Sequence, residues 1–551
     1  MHEPAIRINQ LGYRLEDVQP AFRALPPDTA PASVDFEVIV LEGPPGKFPS
    51  PIALTGASSA FRPDPATGMA VARIDIGALD IPGLYRIRTR TGLQSPPFRI
   101  AANPYAAARD AMRKALYFMR CGCALEPAHA SIWTHGACHT AKACLHTDPS
   151  VQLDVSGGWH DAGDYGRYVG PGCNAVAELL LAFEFFPEAL SGTVNIPESG
   201  NGVPDLLNEC RYELEFLLKM QDSASGGLYH KVATLQFPGY IMPEDDGEPL
   251  FINHISATAT GGFAACLAAA AVAFRPYDAA FADRMLSAAR KAWAWLEANP
   301  SVPGFRNPPD VHSGEYGDET DTDERFWAAV ELYAATGEEA FHQAAIRLGT
   351  MPELDRTSFG WADIGGMGTI RYLLLPEAKR DPALSQCLEA VFFAEADRLA
   401  AVAATDGFGT TLRPEDYIWG SAMLLMNQAV HLIAADRFRP GNGYRQAAAQ
   451  NLHSLFGANA MGLSLVTGVG TYPVLNPHYR PSVADGIAHA VPGLVSGGPN
   501  AGRQDPPSQH GIPDGTAPAL CLIDDIESYA TNEVTIYWNA PAVFVAAAFS
   551  C

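Results

Sequence analysis

The sequence is poor in basic residues. Its 37 Lys and Arg stand against 61 Asp and Glu, which gives a formal net charge of −24. Nucleic-acid phosphates require a basic face on their protein partner, and anionic membrane surfaces attract the same basic residues. The composition therefore argues against nucleic acid and membrane as partners, whereas a neutral ligand such as a sugar is not repelled.

Long apolar runs and an N-terminal leader are also lacking. The most apolar stretch, residues 263–274, is rich in Ala and shorter than the about 20 residues that cross a bilayer. The first residues, Met1–Pro4, show no basic patch followed by an apolar core, so no signal peptide is predicted. We expect either a cytoplasmic protein or a secreted enzyme expressed without its signal, and the localisation stays open.

Cysteine is too sparse for a disulfide scaffold, with ten in 551 residues. Six of them are scattered, which is typical of buried thiols. The other four, Cys121, Cys123, Cys138 and Cys144, lie close together beside several histidines and are a candidate metal site. The hydrophobic fraction of 48% is sufficient for a packed core.

Residues 1–102 are predicted to form a small β-sandwich. Apolar and polar residues alternate in four segments, and turns rich in Pro and Gly separate them. These segments are 5–9, 35–40, 70–76 and 84–89.

Residues 103–551 are predicted to be mainly helical. About a dozen amphipathic patterns follow Pro104, and the connections between them are often long and rich in Gly, Pro and Asp. No fixed-period repeat is evident, which disfavours a regular solenoid. Layers of helix on helix, either a solenoid or a closed α-barrel, are the expected architecture.

Two segments carry the candidate chemistry. Residues 157–168 read GGWHDAGDYGRY and place Asp161 and Asp164 among glycines and aromatics. Nearby carboxylates can activate a water and aromatic rings can stack on sugars, although the spacing alone favours a turn with Asx capping. In residues 524–541, Asn532 is a candidate cap of a final helix and would place Glu533 in its first turn. Glu533 would then either complement the helix dipole or act as a general acid.

Four blocks of the sequence together resemble glycoside hydrolase family 9, the cellulase type with an N-terminal immunoglobulin-like domain. They occur in the family's order and span nearly the whole chain. The blocks are IRINQLGY at residues 6–13, the 157–168 segment, PHYRPS at 477–482 with PGLVSGGPN at 492–500, and the 524–540 segment.

The resemblance implies an immunoglobulin-like sandwich followed by an (α/α)6 barrel that hydrolyses β-1,4-glucan with inversion. Asp164 would be the base that deprotonates the water, Asp161 would help to hold that water, and Glu533 would protonate the leaving oxygen. His478, Arg480 and Tyr529 would line the cleft. Trp419 and Tyr417 would add stacking surface, and core packing explains this last pair equally well.

The resemblance also implies two structural metal sites. Zinc would be bound by Cys121, Cys138, His139 and His160, although spacing alone fits buried thiols and surface histidines equally well. Calcium would be bound near the acidic run 318–324, which otherwise reads as a solvated helix start. The calcium ligands implied are Glu319, Thr320, Asp323, Glu324 and Asp363.

The expected function is cleavage of internal β-1,4-glucosidic bonds by a monomeric endoglucanase acting on a β-1,4-glucan or oligosaccharide. An exo-acting relative that releases glucose, cellobiose or glucosamine from chain ends is the enzymatic alternative. A glycan-binding protein without activity is the other alternative, and the presence of all three carboxylates disfavours it.

Overall fold

A computed structural model describes residues 4–550 of the chain. The strands of its N-terminal part end at Ile100 and the first long helix begins at Ala106. The described residues thus form two parts with the extents expected of a β-sandwich and a helical domain.

The N-terminal part consists of two facing sheets. Their orders are β1-β3-β7-β6 and β2-β9-β8-β4-β5. Alternation explains the packing: Phe36 and Val38 of β4 and Tyr85 and Ile87 of β8 are buried between the sheets, while the residues between them are more exposed. The strands are β1 (Arg7–Ile8), β2 (Gly12–Tyr13), β3 (Pro20–Leu25), β4 (Asp35–Glu42), β5 (Ile52–Ala57), β6 (Arg62–Asp64), β7 (Met69–Asp75), β8 (Gly83–Thr89) and β9 (Phe98–Ile100).

The second part is an (α/α)6 barrel. Six helices, α3, α6, α8, α10, α12 and α17, form its inner ring, and an outer helix packs beside each of them. The α-helices are α1 (Ala106–Phe118), α2 (Pro127–Ala130), α3 (Val169–Phe185), α4 (Pro187–Leu190), α5 (Asp205–Lys219), α6 (Ala257–Phe274), α7 (Ala279–Ala298), α8 (Thr322–Thr336), α9 (Glu339–Gly349), α10 (Gly365–Leu374), α11 (Pro382–Thr405), α12 (Ser421–Phe438), α13 (Tyr444–Leu455), α14 (Arg480–Ala484), α15 (Pro506–Gly511), α16 (Tyr529–Asn532) and α17 (Ile536–Ala548).

Local signals explain where several helices begin and end. The Asp278 side chain accepts a hydrogen bond from the Phe281 amide at the start of α7, and Asp381 does the same for Leu384 at the start of α11. Helix α8 ends at Gly337, whose φ of 71° a glycine adopts without strain. These local signals fix the bounds of the helices at which they stand.

Helix α6 is apolar on all sides because it is an inner helix. By length and composition it is the one helix within residues 4–550 that could cross a membrane, and 78% of it is buried inside the protein. Its neighbours α3, α7 and α8 cover it. Its composition therefore reflects burial in the barrel core.

Short strands at one end of the barrel were not expected from the sequence. They form a sheet ordered β11-β10-β15-β14-β12 and a separate pair, β13-β16. Most are two or three residues long, too short for a periodicity signal. They are β10 (Ala143–Leu145), β11 (Asp148–Leu153), β12 (Arg167–Tyr168), β13 (Leu228–Tyr229), β14 (Lys231–Ala233), β15 (Phe251–Ile252) and β16 (Ile255–Ser256).

The two parts are joined through buried polar contacts. The Asn9 side chain hydrogen-bonds Nδ1 of His453 at 3.0 Å, and Arg7 Nε donates to the Ala460 carbonyl at 3.0 Å. Gln10 Nε2 donates to the Gly462 carbonyl at 2.9 Å. The sandwich thus packs against the helical domain around α13 and the loop that follows it.

Candidate active site

One cavity collects most of the predicted site residues. It lies at the end of the barrel that carries the short strands and has a volume of about 910 Å³. Asp164, Glu533, His478, Arg480, Tyr529 and Trp419 line it, together with aromatic and apolar side chains that include Tyr168, Phe237, Tyr240, Tyr316, Trp361, Tyr537 and Trp538. Aromatic faces with few polar groups are typical of a sugar-binding cleft.

The segment with the two aspartates is fixed from both sides. The Asp161 amide donates to the Gly166 carbonyl, and the Asp161 carbonyl accepts from the Ile536 amide at the start of α17. The Asp164 Oδ2 atom accepts from the Gly166 amide at 2.9 Å and from the Tyr168 hydroxyl at 3.0 Å. Asp164 is 6% exposed and faces the cavity, so its carboxylate is oriented before a ligand arrives.

Two backbone hydrogen bonds hold Asp161 in position. The Asp161 amide donates to the Gly166 carbonyl at 3.0 Å, and the Ile536 amide donates to the Asp161 carbonyl at 2.9 Å. The first bond closes the turn that carries both aspartates, and the second ties that turn to the start of α17. The turn therefore cannot move independently of the barrel.

Asp161 lies deeper than Asp164. It is 1% exposed, and the Tyr316 hydroxyl donates to its Oδ2 atom. Its Oδ1 atom is buried and accepts no hydrogen bond from any group within residues 4–550. Burial raises the pKa of Asp161, the Tyr316 hydrogen bond opposes this, and the charges of Asp164 and Glu533 add to the rise.

Glu533 does not stand in the first turn of the final helix, which corrects the expectation from the sequence. Asn532 ends the short helix α16, Glu533 is extended with φ −66° and ψ 164°, and α17 begins at Ile536 with Thr535 as its cap. Glu533 instead forms a parallel bridge with His478, and its carbonyl accepts from the Gly497 amide at 2.9 Å. Contacts with His478 and Gly497 therefore position the Glu533 backbone, and Glu533 is not in the first turn of a helix.

The Glu533 carboxyl is half-buried at the edge of the cavity. Burial raises its pKa to about 8, and the nearby Asp164 carboxylate adds to the rise. The Arg480 guanidinium and hydrogen bonds from the Gly163 backbone and the Trp419 side chain oppose it. Near neutral pH this carboxyl can therefore hold a proton and donate it.

His478 and Arg480 connect the two catalytic segments. Arg480 donates to the Gly163 carbonyl from Nη1 at 2.7 Å, next to Asp164 in the chain. His478 donates from Nδ1 to the Ile526 carbonyl at 2.6 Å, and burial lowers its pKa, which favours the neutral ring. Both residues lie where the sequence predicted them, between the aspartates and Glu533.

Of the two predicted stacking residues, the structure brings Trp419 into the cavity and leaves Tyr417 out. Trp419 is 40% exposed, and its ring lies 5.4 Å from that of Tyr529. Tyr417 lines a second, smaller cavity beside Phe408 and Leu425 instead. The predicted cleft position of Tyr417 is therefore wrong.

Tyr316 is the site residue that sequence reasoning missed. It reaches Asp161 from a loop between α7 and α8, and its φ of 48° is unusual for a residue other than glycine. Its ring packs edge-on against Tyr168 and Trp361. Nothing in the sequence distinguishes this tyrosine from the others, because only folding brings residue 316 beside residue 161.

The four predicted zinc ligands lie together below the aspartate turn. Their ligand atoms are all within 4.8 Å of one another, and this is the one such group of His, Cys, Asp and Glu found in residues 4–550. The Cys138 sulfur lies 4.0 Å from that of Cys121 and 3.8 Å from Nε2 of His160. Zn–S bonds of about 2.3 Å give tetrahedral edges of about 3.8 Å, so the spacing fits zinc.

The histidine His139 is oriented for a metal as well. Its Nε2 atom lies 3.3 Å from Oδ2 of Asp246, while its buried Nδ1 atom has no hydrogen-bond partner within the described residues. A carboxylate behind a ligating histidine is the usual arrangement at zinc sites. The donor set of two sulfurs and two ring nitrogens therefore fits zinc.

The predicted calcium ligands are less well gathered. Asp323 lies near both Glu324 and Asp363 at the start of α8, and it accepts a hydrogen bond from the Ile364 amide at 2.7 Å. Glu319 is exposed and pairs with Arg306 instead. Thr320 is exposed too, and Asp318 is the acidic residue of the run that faces Asp323 and Asp363.

The carboxyls of this acidic cluster lie close together and have raised pKa values. Burial and the neighbouring carboxylates raise the pKa of Asp318 to about 7 and that of Asp363 to about 6. A cation would relieve this repulsion. The oxygens are not as closely grouped as the zinc ligands, and calcium stays a prediction from the sequence.

Comparisons with known proteins agree with this geometry. The family model described as glycosyl hydrolase family 9 matches residues 105–546. The chain is 38% identical to a cellodextrinase of Butyrivibrio fibrisolvens, over 89% of this chain and 92% of that protein. It is 34% identical to endoglucanase D of Acetivibrio thermocellus, over 90% of this chain and 78% of that protein.

Solved structures extend the similarity to the whole fold. A single mutant of the thermostable endoglucanase from Alicyclobacillus acidocaldarius superposes with a TM-score of 0.91 at 36% identity, covering 99% of both chains. The family match covers most of the helical domain, and the structural match includes the N-terminal sandwich. The chain is therefore a glycoside hydrolase and belongs to glycosyl hydrolase family 9.

Proposed function

We propose that this chain hydrolyses β-1,4-glucosidic bonds of a glucan or oligosaccharide with inversion at the anomeric carbon. The observation that carries the proposal is the cavity in which Asp164 and Glu533, whose pKa is raised to about 8, face the same aromatic-lined space. An inverting hydrolase needs one carboxylate to activate water and one carboxyl to protonate the leaving oxygen. The cellodextrinase and endoglucanase relatives support a β-glucan as substrate.

Each carboxyl has a distinct task in this proposal. Asp164 takes the proton of the attacking water, and Asp161 holds that water through its Oδ1 atom, which has no partner within the described residues. Glu533 donates its proton to the glycosidic oxygen as the bond breaks. The Tyr168 and Tyr316 hydroxyls keep the two aspartates oriented during the reaction.

The remaining cavity residues would bind and orient the sugars. His478 and Arg480 hold the two catalytic segments in register, and Trp419 and Tyr529 offer exposed ring faces. AaCel9A, whose structure with cellobiose-like isofagomine is 37% identical to this chain with a TM-score of 0.91, supports a cello-oligosaccharide in such a cleft. We propose a monomer, since one chain supplies every residue of this site.

Two modes of cutting are candidates. The endoglucanase relatives favour cleavage of internal bonds, which would make the enzyme an endo-β-1,4-glucanase. The cellodextrinase relative favours cleavage of short chains near an end. The mode depends on how many sugars bind on each side of the carboxyls.

We propose that Cys121, Cys138, His139 and His160 hold a structural zinc ion. With all four positions filled by protein ligands, the ion would have no open position for catalysis. His160 directly precedes Asp161, so the ion would anchor the turn that carries both aspartates. Calcium near Asp323, Glu324 and Asp363 is the further metal proposed, with Asp318 as the neighbouring acidic residue.

The stereochemistry of the first product tests the proposed reaction. Proton NMR of cellotetraose hydrolysis, recorded before mutarotation, should show the α-anomer first, because a water activated by Asp164 attacks the face opposite the leaving group. Parallel assays on carboxymethyl-cellulose, chitosan oligosaccharides and xylan define the substrate class. An initial β-anomer contradicts inversion, and an absence of β-glucan hydrolysis contradicts the proposed activity.

Replacing Glu533 with Gln tests its role as general acid. Glu533→Gln keeps the shape of the side chain but has no proton to give, so kcat on cellotetraose should fall by about 10³-fold or more. Binding of cellotetraose, measured by calorimetry, should persist. Glu415→Gln, an exposed glutamate paired with Arg413, is the matched control; wild-type turnover in Glu533→Gln would remove Glu533 from this role.

The pH dependence should follow the protonation of Glu533. Its pKa of about 8 means that the acid is protonated below pH 8 and loses its proton above it. We therefore expect kcat/KM to fall about tenfold per pH unit above about pH 8. The groups that face this carboxyl are Asp161, Asp164, Arg480, Trp419, Tyr529, Tyr537 and the backbone of Gly163.

Circular dichroism between pH 6 and pH 9.5 is the control for this profile, since the fold must stay intact throughout the alkaline limb. An activity that already declines near pH 5 would contradict a raised pKa for Glu533. An activity that stays constant to pH 9.5 would contradict its use as the acid.

Metal analysis tests the zinc site. Purified protein should contain one zinc ion per chain, and Cys138→Ser should lose it and unfold at a lower temperature, because the fourfold coordination is broken. Cys387→Ser, in α11 and outside the cluster, is the control and should retain zinc. Protein that holds no stoichiometric zinc, even after zinc is added, would count against the site.

A further inference from the structure

Two loops of the cavity wall meet at Tyr240. The loop between β14 and β15 carries Tyr240, and the loop before α16 carries Ile526. The Tyr240 hydroxyl donates to the Ile526 carbonyl at 2.9 Å, and the same carbonyl accepts from His478. The contact therefore joins two segments that are 286 residues apart in the chain.

The loop that carries Tyr240 is fixed on both sides of this residue. Arg480 donates from Nε to the Pro238 carbonyl at 2.9 Å, and the Tyr165 hydroxyl donates to the Ile241 carbonyl at 2.6 Å. The Arg480 guanidinium also lies 5.9 Å from the Tyr240 ring. Three anchors within four residues make this loop a fixed wall.

The two loops lead to the segments that carry the two proposed reacting carboxyls. Strand β14 pairs with β12, whose first residue, Arg167, follows Asp164 by three positions. The loop with Ile526 leads through α16 to Glu533. An inverting hydrolase places its base and its acid on opposite sides of the bond that is cut, so in the proposed reaction a contact between these loops would lie across the path of the glucan chain.

The exposed side chains of this loop would face a sugar bound in the cavity. Phe237 and Tyr240 are 47% and 36% exposed, and both line the cavity together with Glu527. The cavity volume of about 910 Å³ lies within the range of pockets that enclose a small ligand. A groove open at both ends would continue past these side chains.

We propose that the bridge between Tyr240 and Ile526 closes one end of the cleft and limits the number of sugar units bound on that side. The preferred substrate is then a short, soluble β-1,4-linked glucan chain, cut close to one of its ends. This inference rests on the proposed glucan hydrolysis and decides between its two modes of cutting. Long polymers react more slowly because only their ends fit against the wall.

Opening the wall tests this directly. Tyr240→Ala removes both the ring and its hydrogen bond, so the ratio of kcat/KM on carboxymethyl-cellulose to that on cellotetraose should rise by about tenfold or more. The cleavage position in reducing-end-labelled cellopentaose should move toward the chain centre. Tyr277→Ala, which replaces a tyrosine of similar exposure outside the cavity, should leave both readouts unchanged.

A binding measurement tests the same proposal without the Tyr240 variant and without turnover. In Glu533→Gln, calorimetry should show affinity that levels off between cellotetraose and cellohexaose, because the wall leaves no contact for further sugars. A continued rise in affinity, or a folded Tyr240→Ala with an unchanged ratio and cleavage position, would overturn the proposal. A wild-type enzyme that cleaves no glucan while Glu533→Gln shows the plateau would instead overturn the proposed hydrolysis and leave the wall in place.

Discussion

The close approach of Gly163 to the segment around His478 is the contact on which the site depends. A Cβ atom at residue 163 would lie 2.3 Å from the His478 carbonyl oxygen, a distance that only glycine avoids. The Gly163 carbonyl accepts hydrogen bonds from Arg480, and its backbone hydrogen-bonds the Glu533 carboxyl. One residue without a side chain thus joins the turn that carries Asp164 to the segment that carries Glu533.

The carboxyls of Asp164 and Glu533 have different surroundings, which suit them to the different tasks proposed for them. Glu533 is half-buried beside Asp164, and desolvation and the neighbouring carboxylate raise its pKa. Asp164 faces the cavity and accepts hydrogen bonds from an amide and a tyrosine hydroxyl. The same fold therefore supports a proton donor and a proton acceptor within one cleft.

Below the cleft, the proposed zinc cluster and the charged network around it support the same turn. The Trp159 amide donates to Glu213 at 2.6 Å, and the Cys121 amide donates to the Gly158 carbonyl at 2.7 Å. Arg120 pairs with Glu209 and Glu198 beneath them. The aspartate turn is therefore held from below as well as from the side, as a preorganised site requires.

The class of fold and the candidate carboxyls could be predicted from the sequence alone. Helix caps such as Asp278 and the alternation in β4 and β8 are local signals, so the elements they define could be predicted. The blocks around Asp161, Asp164, His478 and Glu533 pointed to one family. The structure brings Asp164, His478 and Glu533 to one cavity and buries Asp161 in the same turn as Asp164. The spacing of the four metal ligands was weak alone and became informative only through the resemblance.

The orientation and contacts of the site residues depend on the tertiary structure. The orientation of Tyr417, the extended backbone of Glu533, the arrival of Tyr316 at Asp161 and the meeting of Tyr240 with Ile526 all depend on contacts between distant segments. Local sequence patterns report the period of an element and its caps, which depend on residues a few positions apart. Contacts across hundreds of residues are set by the packing of the barrel, and these contacts shape the cleft.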